Sequence, residues 1–241
     1  MHWRFAVAWV AATSGLASAK AQAGTTVYQD SLTGFTFSQS VVSYDLDGHV
    51  VTYRLALPTG ASSSGNYDIV LQVVAPTIIG WAGLAWNGGM TSNPLTVAWK
   101  NGNSVTISSR WASSRDVPTA YAGATYQLLK RGTVVNSTHW QYTVKCTGCT
   151  QWGTKSLSPT GSHRLAMAAA PQGPSNPASN TSSFPVHTVH YYWDHDFSQA
   201  ANPSFSSLVT QNGGTATAQF AETIEQSAED DGSKMAERWE A

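Results

Sequence analysis

From Val27 to about Leu208, apolar and polar positions alternate in short runs, and each run stops at a turn signal. In "HVVTYRLALP", His49, Val51, Tyr53 and Leu55 share one face of an extended chain. Val50, Thr52, Arg54 and Ala56 share the other. "YDIVLQVVAP" reads as a strongly apolar strand, and "GWAGLAWNGG", "PLTVAWKNGN" and "SVTISSRWAS" follow it. The Asn-Gly of "KNGN" predicts a hairpin. A second hairpin is expected around Arg131-Gly132, then a strand "HRLAMAAAP", a loop "QGPSNPASNTSS" and a last strand within "VHTVHYYWDHDF". Roughly ten strands at this spacing predict an all-β fold, an antiparallel two-sheet β-sandwich, Ig-like in the loose sense. No helical period of any length precedes residue 216, and no internal repeat is visible.

The two ends break this pattern. Residues 1–23 carry Arg4, an apolar run from Phe5 to Ala12 and A-x-A sites ending at Ala21 and Ala23, the pattern of a secretory signal peptide. The run is too short to span a bilayer. Residues 24–209 are expected to form the domain, and residues 210–241 a linker-like and acidic tail. Charged residues make up only 11% of the chain and the net charge is -1, so no basic stripe offers itself to nucleic acid. No second apolar stretch suggests a membrane span. The expectation is a secreted, extracellular protein.

Two cysteines occur, Cys146 and Cys149, in "KCTGCTQW". A C-x-x-C serves as a redox dithiol, half a zinc site or a small-loop disulfide. Zinc would need two further ligands, and a thioredoxin-like motif a βαβ context. An oxidising compartment favours the disulfide, which contributes about 2 kcal/mol for so short a loop. Asn136-Ser137-Thr138 and Asn180-Thr181-Ser182 are glycosylation sequons.

Candidate chemistry lies in two places. "NGGMTSNP" puts Met90 in a loop of turn-forming residues, where a thioether serves no turn geometry. "FPVHTVHYYWDHDF" gathers His187, His190 and His195 with Asp194 and Asp196. On one straight strand His187 and His195 would be about 26 Å apart, with His190 on the opposite face, so they would not converge on one ion without a sharp bend. A Met sulfur and a His nitrogen together suit haem iron. Cys149 is followed by Thr150, so no C-x-x-C-H is present and the haem would be non-covalent.

The ordered set "TGFTFS", "VVAP" with Trp81 six residues after Ala75, "GGM" before "LTVAWKNGN", "SSRWAS", "PTAYAGATYQLL", "NSTHWQY", "KCTGC" and "SFPVHT…DFSQA" resembles the secreted cytochrome domain of fungal cellobiose dehydrogenases, over about Ser31 to Leu208. The resemblance implies a β-sandwich with one haem b in a pocket at one end. It also implies Met90 and His187 as axial ligands and a Cys146–Cys149 disulfide. Asp196 matches a recurring acidic residue with no assigned chemistry. Arg115 stands where the family has a tyrosine near the haem propionates, and a guanidinium can pair a carboxylate there. Arg110 is shared with the family. His190 and His195 are additions, and His190 is a rival ligand. Trp81, Trp86, Trp99, Tyr121 and Tyr191 are candidate walls.

For function, the resemblance implies an electron carrier rather than an enzyme. It would take electrons from a flavin-dependent sugar dehydrogenase and pass them to acceptors such as lytic polysaccharide monooxygenase, with cellulose as a further partner. No GxGxxG-bearing βαβ unit is present, so oxidation of cellobiose by this chain alone is not expected. Two other readings stay open on the residues. One is a carbohydrate-binding module built on some of the ten Trp residues. The other is a metal-dependent enzyme using His187, His190 and Asp194.

Overall fold

The computed structural model describes residues 24–213. The leader expected over 1–23, and the tail beyond Gly213, lie outside them. In chain order the strands are β1 (Thr26–Gln29), β2 (Thr36–Ser43), β3 (Val50–Pro58), β4 (Ile69–Pro76), β5 (Trp81–Ala85), β6 (Pro94–Asn101), β7 (Ser104–Trp111) and β8 (Thr119–Ala120). They continue with β9 (Thr125–Leu128), β10 (Val134–Val135), β11 (His139–Thr147), β12 (Gln151–Trp152), β13 (Lys155–Ser156), β14 (Ser162–Ala170), β15 (Val189–Asp196) and β16 (Ala201–Asn202). One helix, α1 (Phe205–Asn212), follows.

Two sheets face each other. One runs β1-β2-β3-β4-β11-β10, with β9 beside β11 and β16 parallel to β3; the other runs β15-β14-β5-β6-β7-β8. Apart from β16, the pairings are antiparallel, as the alternation predicts. The main core fills the space between the sheets with Val51, Tyr53, Leu55 and Leu57 of β3, Leu84 of β5, Leu165 and Met167 of β14 and Trp193 of β15. Residues of opposite parity point outward, and both outer faces are covered as well. On the larger sheet α1 lays Phe205 and Val209 against Phe35, Phe37, Ala56 and Val70. Arg54 on that face donates to Gln39 and Gln72 and lies over the Tyr28 ring.

Helix α1 departs from the sequence expectation. Eight residues with two buried apolar positions carry too little periodicity to register against the strand pattern. Thr210, Gln211 and Asn212 are its last turn, where a linker was expected to begin. Asn212 is buried and donates to the carbonyls of Thr33 and Leu208, which holds this turn on the domain. The Cys146–Cys149 disulfide closes the turn after β11, with Cα atoms 5.9 Å apart. Gly148 in that turn has φ +90°, and a Cβ there would collide with the Gly123 carbonyl.

Candidate functional site

The outer face of the six-stranded sheet is where the candidate residues gather. Strand parity puts Ala166, Ala168 and Ala170 of β14 there, with Trp81, Gly83 and Ala85 of β5 and Leu95, Val97 and Trp99 of β6. The register sets Ala168 beside Gly83 and Gly83 beside Val97; the next row runs Ala166, Ala85, Leu95. Four neighbouring positions in the middle of this face thus carry no side chain beyond a methyl group. They form a shallow shelf, rimmed by Trp81, Trp99, Leu95 and Val97. The signal in the sequence was the alternate alanine of "LAMAAA", small at every outward position.

Met90 packs against this shelf from the loop between β5 and β6. The loop is built to hold a fixed shape. Asn93 is fully buried, and its side chain accepts from the Asn87 N–H at 3.1 Å and donates to the carbonyls of Gly89 and Thr91 at 2.7 and 3.0 Å. Ser92 has φ 60°; its N–H donates to Ala112, and its carbonyl accepts from the Trp152 indole. Gly88 has φ +67° and lies against the Arg164 stem so closely that a Cβ would overlap it. Gly89 has neither constraint, so of the two glycines only Gly88 is demanded by geometry.

His187 approaches from the other side. It lies just before β15, and Thr188 donates its N–H to Ala169 at 2.9 Å. The bend that a straight strand lacked is therefore present, and β15 starts only at Val189. His190 pairs in register with Ala168, and its ring lies 5.1 Å from that of His187. Partial burial, and then the neighbouring His190, lower the His187 pKa. His187 is thus a neutral imidazole at neutral pH, the form that ligates metal.

A strap of residues 171–188 covers the β6–β7 side of the shelf. Phe184 of this strap packs on Trp81 at 4.8 Å and on Trp99 at 6.1 Å, centroid to centroid. The Trp81 indole N–H is buried there and meets no acceptor among the described residues. A buried donor left without an acceptor costs roughly 1–3 kcal/mol, so an acceptor supplied by a bound group fits this position.

Other predicted residues lie elsewhere. His195 is fully buried between the sheets: Trp193 and Ser40 donate to Nδ1 at 3.2 and 2.9 Å, and Nε2 meets Ser38 Oγ at 2.7 Å. Desolvation drops its pKa to about 4, so it is a neutral core residue. Asp196 accepts from the Ser198 N–H and hydroxyl and caps the turn 197–199, which gives this carboxylate a structural role. Arg115 is exposed on the loop after β7, the loop to which Ser92 is tied. Trp86 belongs to the inner core and donates to Thr96. Tyr191 is 42% exposed at the sheet edge. Tyr121 stacks on Trp111 and lines a separate cavity of about 560 Å³ at the β7 edge, with Val105, Ile107, Tyr126, Leu128 and Val144. That cavity has no His or Met in its lining and offers no axial ligand. The sequon residues Asn136 and Asn180 sit in surface turns, Asn136 accepting from the N–H groups of Thr138 and His139.

The alternative readings find less support. Trp81, Trp86, Trp99, Trp140, Trp152 and Trp193 are buried, so they make no flat platform for sugars. Asp194 faces Arg164 at 3.3 Å, and among the described residues no three His, Cys, Asp or Glu side chains gather at one point.

Residues 28–207 match the sequence family described as the cytochrome domain of cellobiose dehydrogenase. A curated relative, a pyrroloquinoline quinone-dependent pyranose dehydrogenase of Coprinopsis cinerea, is 32% identical over 171 residues, which are 68% of this chain and 23% of that protein. The chain therefore spans only that fraction of its relative's length. Two solved structures resemble it, each with a TM-score of 0.70 and each covering 80% of this chain and 98% of the other. They are the cytochrome b domain of pyranose dehydrogenase from Coprinopsis cinerea, 25% identical, and the cytochrome domain of Myriococcum thermophilum cellobiose dehydrogenase, 26% identical.

Proposed function

Because the chain belongs to the family of cellobiose dehydrogenase cytochrome domains, we propose that it is a secreted electron-transfer module that holds one haem b non-covalently between Met90 and His187. The observation that carries this reading is the shelf itself. A flat strip of Gly83, Ala85, Ala166 and Ala168 has a thioether loop on one side and an imidazole on the other, with an orphaned indole N–H beneath the strap. When bound, the haem supplies one-electron chemistry between ferrous and ferric iron.

The protein's own groups shape that chemistry. Met90 offers a soft, neutral donor, which favours the ferrous state and raises the potential. His187 offers a neutral imidazole. With Met90 and His187 both holding the iron, no position would remain for dioxygen or a sugar, so the module would relay electrons and not itself oxidise substrate. The braced Met90 loop, and the strap tied to Ala169 through the Thr188 N–H, would keep both donors in place during one-electron exchange. Apolar walls of Trp81, Trp99, Leu95 and Phe184 exclude water from the shelf.

The donor in this reading is a sugar dehydrogenase with a flavin or a quinone cofactor, in keeping with the dehydrogenases of the relatives. Lytic polysaccharide monooxygenase is the proposed acceptor, with cellulose as the surface on which the two meet. Stopped-flow mixing tests the relay. Haem-loaded protein should be reduced by a sugar-charged dehydrogenase and reoxidised by the copper monooxygenase, each within seconds. Failure of both reactions in a protein with intact haem bands would reject the assignment.

A further inference from the structure

Among the described residues the most buried cation on the shelf side of the molecule is Arg110 of β7, 4% exposed, and none of their carboxylates bonds to it. Its guanidinium is spent instead on neutral oxygens. Nε donates to Ser108 Oγ at 2.5 Å, and one terminal nitrogen donates to the Pro118 carbonyl at 3.0 Å. The other terminal nitrogen reaches the strap, donating to the carbonyls of Asn180 at 3.1 Å and Ser182 at 2.6 Å. The cation also lies 5.2 Å from the centre of the Phe184 ring. Burying a charge is costly unless the surrounding dipoles converge on it, and here the converging carbonyls belong mainly to the strap. Burial lowers the Arg110 pKa, in keeping with a charge held by dipoles alone. Neighbouring side chains act in the same direction. Trp99 and Thr106 donate to the Pro177 carbonyl at 2.9 and 2.6 Å, and Ser108 donates to Asn180 at 2.5 Å.

We propose that Arg110 is a positioning residue for the ligand pair: its guanidinium fastens the strap to β7 and so sets where Phe184 and, three residues on, His187 stand over the shelf. The proposal deepens the haem reading and rests on it for its consequence at the iron. Its structural half stands without haem. The planar fork is essential, because four acceptors in different directions need several fixed N–H groups, and a lysine ammonium provides a single compact centre. The sequence marks Arg110 only as a shared residue in "SSRWAS"; its partners come from a loop seventy residues later.

Arg110→Lys keeps the charge and removes the fork, so it is the variant to make. Amide hydrogen exchange is measured first, on the haem-free protein. Exchange across residues 177–188 should rise about tenfold, as expected for the loss of one or two hydrogen bonds, while β3 and β4 keep wild-type rates. Haem is then added. Arg110→Lys should bind it about tenfold more weakly, with a shifted reduction potential and altered low-spin absorbance. Wild-type exchange in the strap overturns the fastening role. Exchange that rises equally throughout the domain overturns it too, since Arg110 would then serve general stability. A loosened strap with an unchanged haem spectrum and potential overturns the positioning of His187. If the wild-type protein takes up no low-spin haem, the haem reading itself has failed, and the exchange data still decide the fastening.

Discussion

His195 shows how little a histidine's neighbourhood in sequence says about its role. It stands eight residues from His187, yet it is walled in by Ser38, Ser40 and Trp193. The Trp193 N–H can only donate, so Nδ1 accepts and Nε2 carries the proton toward Ser38. The folded protein favours the neutral ring, with a pKa of about 4 against about 6.5 in an unfolded chain. The unfolded state therefore binds more protons in that window. The contribution is fully present above about pH 6.5 and is lost as pH falls toward 4, a change of about 3 kcal/mol. Denaturant titrations of the haem-free protein at pH 7 and pH 4.5 should show this loss, and His195→Gln should flatten it. Met90 is a different case, because its proposed role is at the iron and not in the core. Met90→Ala should lower the reduction potential or open a coordination site that binds cyanide. An unchanged potential and no cyanide binding would remove Met90 from the ligand set.

At the scale of elements, the loop carrying Met90 is held by Asn93 and Gly88. Asn93→Ala strips partners from the Asn87 N–H and the carbonyls of Gly89 and Thr91. It should cost about 2 kcal/mol of stability and broaden the low-spin haem signal. Gly88→Ala adds positive-φ strain and an overlap with the Arg164 stem, again about 2 kcal/mol by thermal melting. Wild-type melting of both variants would show that the loop tolerates other shapes. The strands that carry these loops were legible in sequence, because alternation in "HVVTYRLALP" and the turn residues of "KNGN" act locally. The loop's bracing was not, since it depends on a side chain turning back six residues onto its own backbone. The bend before Val189 was missed for a related reason. It is set by Thr188 bonding to Ala169, a residue of another strand. The strap's grip on Arg110 likewise joins residues 110 and 182, and no local pattern encodes such a pairing.

Over the described residues the molecule is a sandwich with each outer face partly covered, one by α1 and the other by the strap. This makes α1 part of the domain. Phe205→Ala should destabilise it by about 3 kcal/mol, because Phe35 and Phe37 lose a buried partner. Wild-type stability in Phe205→Ala would detach the helix from the fold. The other cover matters for the proposed function, since it lies along the β6–β7 side of the shelf that carries Met90 and His187. The most direct test of that pair is the absorption spectrum of the reduced, haem-reconstituted protein, recorded beside Met90→Ala, His187→Ala and His190→Ala. Sharp low-spin bands are expected in the wild type and in His190→Ala, and their loss in each of the other two variants. Low-spin bands that survive in Met90→Ala and His187→Ala, or that vanish in His190→Ala alone, would contradict the Met90–His187 pair.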